Sequence, residues 1–534
     1  MDKALGRNLI QRVNVGDALT RTANRIPDHL AVVDGGRRWT YRQFNTATNQ
    51  FANGLLARDY QRGDVLALAC GNSMEFLLTY FACAKTGVVC VPLNLGWGAK
   101  EIAYALGHSR ARGIVVEAQL GAQVLPAVEQ VPAIQEVVVA PGTGGTLAPS
   151  KLGCACIDFA AACSQDDAEP EVIVEDRDAL SYLYTSGTTS APKGVVTSHV
   201  AVYTEALMVA TESEMRRDER IACLMPLFHT AQLNGFATPS IMLGTTQYLM
   251  RGFNATALLD LIEREHISRI FILPMMWKAL MNDPSLPNRD VSSVRQAAYA
   301  MAPMPDDLLK QCMARFGCGF YLAFGQTEMS PITTIFRPEH QASHRGAVGT
   351  QVMNTQVAIM DAQGQLLPRG QEGEIVYRST QALEGYLRNE EATDAAFAHG
   401  WFHSGDVGRL AEDGMLWFSD RSKDVIKSGG ENVASIEVEK AIYAAEPAVQ
   451  EVAVIGLPHP YWIEAITAVV SVRPGATLDG EALRLKMRGI LSSFKTPKAV
   501  IVVDAFPRTA TGKIQKNVLR QQYRDHYAHE TAGA

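Results

Sequence analysis

The chain of 534 residues is longer than one hydrophobic core can serve, so at least two domains are expected. Apolar residues make up 47% and charged residues 20% of it, which is typical of a globular protein and not of a disordered or membrane-embedded one. The net charge of -7 excludes a broad basic face, so nucleic acid is not an expected partner.

The cysteines and the N-terminus predict the compartment. Nine cysteines, an odd number, are scattered through the chain, which is typical of reduced, cytosolic usage. Residues 1–14 are polar and lack the apolar segment of a signal peptide. The longest apolar run, residues 76–84, is too short to cross a bilayer. We therefore expect a cytoplasmic protein with no membrane span.

Short apolar runs alternate with amphipathic stretches through much of the chain. Residues 65–91 are typical of a strand, a helix and a second strand, and the pattern recurs at 270–281 and 294–323. Such units predict parallel sheets with helices on both faces. Residues 141–170, rich in Gly, Pro, Ser and Ala, predict a surface excursion with local helix.

The pattern changes towards the C-terminus. Residues 352–379 predict short strands separated by turns, and the chain after residue 421 alternates helices with strands. The sequence therefore predicts an α/β fold: a large N-terminal domain with helix-covered parallel sheets and a small β-rich subdomain, and a small α+β C-terminal domain.

The most informative segment is residues 184–194, Tyr-Thr-Ser-Gly-Thr-Thr-Ser-Ala-Pro-Lys-Gly. Hydroxyls, glycines and one lysine suit the oxygens of a polyphosphate. The segment is not a Walker A loop, because Lys193 precedes Gly194 and Val195 follows. Composition alone favours a polar surface loop, but the order of the residues favours a phosphate-binding loop.

That order resembles the phosphate loop of the adenylate-forming superfamily, which contains acyl-CoA synthetases, luciferases and the adenylation domains of peptide synthetases. Further segments match the superfamily in the same order: residues 324–328, 400–406, 420–424, 428–433 and 507–514. The chain is identified as a member, most similar to the AMP-forming fatty-acyl-CoA synthetases. The resemblance implies an ATP- and acyl-binding domain at residues 1–421, a mobile C-terminal domain at 422–534, and an active site between them.

The resemblance also implies a reaction in two steps. A carboxylic acid attacks the α-phosphate of ATP, pyrophosphate leaves, and CoA then captures the acyl-adenylate. ATP, Mg2+ and CoA are the implied cofactors and co-substrates. Two alternatives remain: an enzyme that loads an acyl carrier protein, and a catalytically impaired acyl- and ATP-binding homologue. An amino-acid-activating enzyme usually has Asp where His229 follows Phe228, and a homodimer is compatible with the sequence.

The implied residues fall into groups. The ATP and AMP site would contain Thr185, Ser186, Gly187, Thr188, Thr189, Lys193, Phe324, Gly325, Thr327, Asp406, Arg421 and Lys513. The catalytic residues would be Lys513, Glu328, Thr185 and Lys193, with Glu328 and Thr185 at the metal. Lys513 would bridge the substrate carboxylate and the α-phosphate. The alternative for Asp406 and Arg421 is a salt bridge without a ligand.

The remaining residues concern the acid, the thiol and the hinge. The gate of the acyl pocket would contain Phe228, His229, Ala300 and Met301; the CoA side would contain Gly429, Gly430 and Glu431; and Lys423 would be the hinge. The alternative for His229 is a core histidine. Phe228, Phe236, Met301 and Phe324 predict a pocket for a fatty, aromatic or polycyclic acid.

The sequence departs from the superfamily at three places. Ser190 replaces a usual glycine of the phosphate loop, Ala300 and Met301 replace a glycine pair, and Ile463 replaces a glycine between Trp462 and Glu464. If the position of Ser190 needs a left-handed backbone, we expect the serine to strain it.

Overall fold

The computed structural model describes residues 2–144, 153–185, 192–301, 304–421, 424–428, 431–509 and 513–528. They belong to two compact units, one of Met1–Val357 with Tyr377–Phe402 and one of Ala358–Val376 with His403–Ala534. The predicted domain boundary between residues 421 and 422 marks where the C-terminal domain would begin to rotate. The division into compact units does not test rotation, so this boundary stays a prediction.

Helices and strands alternate from the N-terminus to the predicted phosphate loop. They are α1 (Lys3–Gln11), α2 (Val15–Arg25), β1 (Leu30–Asp34), β2 (Arg37–Thr40), α3 (Tyr41–Ala57), β3 (Val65–Ala69), α4 (Met74–Thr86), β4 (Val89–Pro92), α5 (Ala99–Ser109), β5 (Gly113–Glu117), α6 (Gly121–Val128), β6 (Glu136–Ala140), β7 (Ala155–Asp158), α7 (Phe159–Ala162) and β8 (Ala179–Thr185).

The alternation continues from that loop to residue 351. These elements are β9 (Lys193–Ser198), α8 (His199–Glu212), β10 (Arg220–Cys223), α9 (Thr230–Gln232), α10 (Thr238–Leu243), β11 (Thr246–Leu249), α11 (Ala255–Glu265), β12 (Arg269–Phe271), α12 (Pro274–Met281), β13 (Gln296–Tyr299), α13 (Asp306–Phe316), β14 (Gly319–Gly325), β15 (Ile332–Phe336) and β16 (Gly349–Gln351).

The C-terminal elements complete the chain. They are β17 (Thr355–Met360), β18 (Glu372–Ser379), β19 (Gly385–Tyr386), α14 (Glu390–Ala396), β20 (Phe402–Leu410), β21 (Met415–Arg421), β22 (Ile426–Ser428), β23 (Glu431–Val433), α15 (Ser435–Ala445), β24 (Val449–His459), β25 (Ile463–Val472), α16 (Gly480–Arg488), β26 (Ala499–Val502) and α17 (Lys516–Gln522).

Two sheets form the first unit. One has the strand order β19-β9-β8-β4-β3-β5-β6-β7, with a parallel core from β8 to β7. The other runs in the order β16-β15-β14-β13-β12-β10-β11-β1-β2 and is parallel from β14 to β1. The prediction of an α/β fold with helix-covered parallel sheets is confirmed.

Helix α4 explains how the first unit is held together. All of its residues are buried, and its cluster joins Leu66 and Cys90 of one sheet to Val32 and Cys223 of the other. A helix that is apolar on every side must be covered on every side, which a position between two sheets provides.

The second unit matches the predicted β-rich and α+β segments. It contains the sheet segment β17-β18-β20-β21 and a second sheet, β23-β22-β25-β24, with β26 pairing with β25. Helix α15 and helix α16 pack on that second sheet through apolar residues such as Val438, Ile442 and Leu483.

The segment 141–170 differs in part from its prediction. It includes β7, which lies at the edge of the first sheet and pairs in parallel with β6, as well as the short helix α7. Residues 155–158, Ala-Cys-Ile-Asp, do not alternate clearly between polar and apolar side chains, so the sequence did not predict this strand.

The structure shows the state of the cysteines and the lengths of the helices. All nine cysteines lie in the described ranges and are free thiols. None of the helices that the structure describes is both long enough and apolar enough to cross a bilayer.

Candidate functional site

The predicted phosphate loop connects two strands of the first unit. Strands β8 and β9 are antiparallel, and Thr185 is paired with Lys193 at their open end. Ser186, Gly187, Thr188 and Thr189, together with Ser190, lie outside the described residues. The structure therefore brings together the two ends of the loop, Thr185 and Lys193.

Tyr184 anchors the base of this hairpin. Its hydroxyl oxygen lies 2.8 Å from Nδ1 of His108 on α5, and both side chains are partly buried. A Cβ added at Gly194 would lie 3.3 Å from the Tyr184 ring, so the strands approach closely at this point. Burial, and then Arg388, lower the pKa of His108, which favours the neutral ring.

Tyr386 connects Lys193 with Glu328. The Lys193 ammonium lies 4.7 Å from the centroid of the Tyr386 ring, a cation–π contact. The Tyr386 hydroxyl donates to Oε1 of Glu328 at 3.1 Å. Two predicted residues that are 135 positions apart therefore meet on one aromatic ring that the sequence analysis missed. The sequence signal that could have drawn attention to this ring is the pair Gly385 and Tyr386, which stands just before helix α14 and its cap Asn389.

Phe324 and Gly325, two of the predicted ATP and AMP residues, lie at the end of β14. Gly325 follows Phe324, and a Cβ at Gly325 would lie 1.9 Å from the carbonyl oxygen of Pro331, so only glycine fits. Thr327 and Glu328 begin a short 3-10 turn, Thr327–Met329, immediately after it. The turn places both side chains, half-buried, beyond the strand end.

His229 occupies an apolar region of the same unit. Its ring centroid is 4.6 Å from that of Phe228. Burial lowers its pKa to about 4, and in the described part of the chain its buried Nε2 has no hydrogen-bond partner. A π turn, Leu233–Ala237, follows, and Phe236 of this turn stacks on Phe271 with centroids 4.4 Å apart. His229 is therefore a neutral ring among aromatic side chains at neutral pH.

Ala300 and Met301 follow strand β13. Ala300 is buried, whereas Met301 is 50% exposed and has a φ of 68°. A left-handed backbone disfavours any residue with a Cβ, which gives a physical reason for the glycine that is usual there. Ile463 also replaces a glycine that is usual in the superfamily. Its φ is 67°, and its side chain is 66% exposed.

Asp406 and Arg421 face each other in the second unit. They are paired residues of β20 and β21, and Arg421 Nε lies 3.1 Å from Oδ1 of Asp406. Asp406 is 3% exposed, so a buried carboxylate is held by a half-exposed guanidinium. The salt bridge that the sequence left as an alternative is therefore present, and binding of ATP or AMP by the pair stays a prediction.

Lys513 is in a tight turn of the second unit. The Thr509 amide donates to the Lys513 carbonyl at 2.8 Å, and the Lys513 amide donates to Thr509 Oγ1 at 3.1 Å. The bridge between Arg508 and Ile514 closes the turn, which fixes the backbone of Lys513.

The remaining predicted residues surround the hairpin of β22 and β23. Ser428 pairs with Glu431, so Gly429 and Gly430 are the two residues that connect the strands. Both glycines and Lys423 lie outside the described residues, as does the side chain of Glu431. Their predicted roles at CoA and the hinge stay predictions.

No group of three or more His, Cys, Asp or Glu side chains that could hold a metal occurs in the described ranges. This does not conflict with a magnesium site. Mg2+ commonly uses one or two protein carboxylates and completes its shell with phosphate and water oxygens.

Comparisons with known proteins support the predicted family. The family model described as AMP-binding enzyme matches residues 19–387, and that of the AMP-binding enzyme C-terminal domain matches residues 437–513. A feruloyl-CoA synthase of Amycolatopsis sp is 34% identical over 95% of this chain and 99% of its own. A long-chain-fatty-acid–CoA ligase of Mycobacterium tuberculosis is 34% identical over 96% of this chain and 98% of its own.

A solved structure agrees with these matches. The crystal structure of ATP-bound MatB from Rhodopseudomonas palustris superposes with a TM-score of 0.86 at 28% identity, covering 97% of this chain and all of that one (100%).

Proposed function

The chain belongs to the AMP-binding enzyme family and is an AMP-forming acid–CoA ligase, and from this premise we propose that its substrate is an apolar fatty, aromatic or polycyclic acid. The substrate carboxylate attacks the α-phosphorus of ATP and pyrophosphate leaves. The CoA thiol, losing its proton, then attacks the acyl carbon, and AMP leaves with the oxygen that bridged the two groups.

The proposed phosphate grip uses the ends of the β8–β9 hairpin. Thr185 can donate its hydroxyl and Lys193 its ammonium to phosphate oxygens, and the pairing of these two residues keeps the donors at one strand end. Phe324 would contact adenine, and Thr327 would contact the α-phosphate. The close approach of Gly325 to the Pro331 carbonyl fixes the strand end that carries Phe324 and precedes Thr327.

Glu328 and Thr185 would hold Mg2+. The donors present fit that ion, because a half-exposed carboxylate and a hydroxyl are hard oxygen ligands that leave room for phosphate oxygens. When bound, the ion would neutralise charge on the phosphates. Glu328 itself is oriented by the Tyr386 hydroxyl, which donates to one of its two oxygens.

The neutral state of His229 carries the proposal of an apolar acid. Its pKa of about 4, lowered by burial, leaves it uncharged at neutral pH. An uncharged ring beside Phe228 provides no counter-ion for a second carboxylate or for an α-amino group on the substrate. Phe236, which the sequence also assigns to the acyl pocket, stacks on Phe271 in the core of the same unit.

Lys513, Asp406 and Arg421 are proposed to act from the second unit. The Lys513 ammonium would stabilise charge that develops between the carboxylate and the α-phosphate. Rotation near Lys423 would then exchange Lys513 for the hairpin that contains Gly429, Gly430 and Glu431. The cytoplasmic location, the homodimer and a carrier protein as alternative acceptor stay predictions.

The experiment is a screen of acids for CoA-dependent release of AMP. The panel contains fatty acids of increasing length, benzoates and cinnamates, with dicarboxylates and amino acids as charged controls. We expect the apolar acids to be used at least tenfold more efficiently, because an unpaired buried charge is costly. Preference for a dicarboxylate or an amino acid would contradict the proposal. A carrier protein accepted in place of CoA would establish the alternative acceptor.

A further inference from the structure

We infer that Tyr386 is a positioning residue that holds Lys193 and Glu328 apart and aims each at its own ligand. The inference rests on the proposed function, which assigns Lys193 to the phosphates and Glu328 to the metal. The ring face of Tyr386 contacts the Lys193 ammonium at 4.7 Å, and its hydroxyl donates to Glu328 at 3.1 Å. One side chain therefore contacts both a cation and an anion of the site.

The backbone fixes the position of this ring. Tyr386 pairs with Val195 in β9, the strand that begins at Lys193. The Leu387 amide donates to the Gly194 carbonyl at 2.8 Å, and the Tyr386 amide donates to Thr393 Oγ1 at 2.9 Å. Tyr386 therefore moves with the phosphate-loop hairpin, and it transmits that position to Glu328.

The separation matters because the two charges attract each other. A lysine ammonium and a glutamate carboxylate that approach within 4 Å form an ion pair, and each then loses part of its affinity for an external ligand. In the described part of the chain, the Lys193 ammonium lies over the Tyr386 ring and Glu328 accepts from the Tyr386 hydroxyl. The ring face satisfies the cation and the hydroxyl satisfies the anion, so both charges remain available for ATP and metal.

Two substitutions separate these two contacts. Tyr386→Phe removes the hydrogen bond to Glu328 and keeps the ring face for Lys193. Tyr386→Leu removes both contacts and permits Lys193 and Glu328 to pair. Tyr203→Phe is the matched control, because it removes a single hydrogen bond, from Arg21 Nη1 at 3.3 Å, from a tyrosine that has no part in the proposed site.

Binding measurements test the inference without any turnover. Mn2+ binding to the ATP complex, followed by electron paramagnetic resonance, should weaken about tenfold in Tyr386→Phe, as expected when a hydrogen bond to a metal carboxylate is lost. Calorimetry with ATP in EDTA should give nearly parental affinity for Tyr386→Phe. The same measurement on Tyr386→Leu should give a clear loss, because Lys193 is no longer held away from Glu328.

The outcomes discriminate between a positioning role and a structural one. Parental binding of Mn2+ and ATP by both Tyr386 variants would overturn the inference. Equal losses in Tyr203→Phe would also overturn it, because they would indicate a general effect on folding.

The same measurements distinguish failure of the proposed function from failure of the role inferred for Tyr386. If the parent protein binds ATP and Mn2+ but activates no acid, the proposed function is wrong while the two variants still test Tyr386. If the parent activates acids and both variants bind like the parent, only the role of Tyr386 is wrong. If the parent protein binds neither ATP nor Mn2+, both the proposed function and the role of Tyr386 are wrong.

Discussion

Asp420 caps the helix that begins at Ser435. The Ser435 amide and the Ser435 hydroxyl both donate to Oδ2 of Asp420, each at 2.6 Å. Both residues are buried, and Lys516 Nζ donates to the same hydroxyl at 2.5 Å. Asp420 precedes the predicted hinge at Lys423 and Ser435 follows it. Rotation at the hinge would therefore have to break this contact.

We predict that Ser435→Ala changes the balance between the two half-reactions. Loss of a hydrogen bond to a carboxylate costs about 1.5–3 kcal/mol, which is enough to shift a conformational equilibrium about tenfold or more. Adenylation and acyl transfer, measured separately by pyrophosphate release and with pre-formed acyl-adenylate, should change in opposite directions. Arg520→Gln is the control, because its partner Asp424, at 2.6 Å, lies on the same side of the hinge. Parallel loss of both half-reactions in Ser435→Ala would contradict the prediction.

Met301→Gly should change substrate choice without loss of stability. The left-handed backbone at Met301 costs about 1–2 kcal/mol for a residue with a Cβ, and glycine removes that cost at the expense of about 1 kcal/mol of chain entropy. Each methylene of space gained is worth ~0.8 kcal/mol to a substrate that fills it. Catalytic efficiency should shift about tenfold towards bulkier acids, with ATP affinity constant. A flat profile across a fatty-acid series would show that Met301 does not face the acid.

Ile463→Gly should stabilise the second unit. A β-branched residue at a φ of 67° is an outlier, and its 66% exposure means that little apolar burial is lost with the side chain. We expect a gain of up to about 1 kcal/mol in the free energy of unfolding, measured with denaturant. Ile490→Gly, at a residue 53% exposed without left-handed backbone, should give no gain. Destabilisation by Ile463→Gly would show that the side chain makes a needed contact.

Two histidines whose ring Nε2 atoms are buried should make stability depend on pH. Burial lowers the pKa of His199 and that of His229 to about 4, from an ordinary value of 6.5. The unfolded chain therefore binds protons first, so stability is fully present above pH 6.5 and is lost as the pH falls from 6.5 towards 4. Each histidine contributes a slope of up to about 1.4 kcal/mol per pH unit. His199→Gln should reduce the slope in denaturant titrations, and a slope unchanged by this substitution would contradict the prediction.

Local signals made many elements predictable from the sequence. Helix α4 begins after Ser73, whose side chain accepts from the Phe76 amide, and it ends at Gly87 with a φ of 71°. Within the predicted unit 294–323, helix α13 ends at Phe316 for the same reason, since Gly317 follows in a left-handed conformation. Caps and glycines are local in sequence, so they can be read without the fold.

The candidate site could be predicted only in part. Lys193 and Glu328 belong to recognisable segments, but the ring between them comes from Tyr386, which reaches β9 through an antiparallel pairing across almost 200 residues. Sheet pairing over such distances leaves no periodic signal in either strand. The left-handed backbone at Met301 was likewise not predictable from its own side chain.

Activation of the acid as an acyl-adenylate can be tested by following labelled oxygen. An acid that gives CoA-dependent AMP release would be supplied with 18O in its carboxylate, and the AMP and pyrophosphate would be analysed by mass spectrometry. We expect one labelled oxygen in each AMP formed, because the carboxylate oxygen attacks the α-phosphorus and remains there when CoA takes the acyl group. AMP without the label, or label in pyrophosphate or inorganic phosphate, would contradict this mechanism.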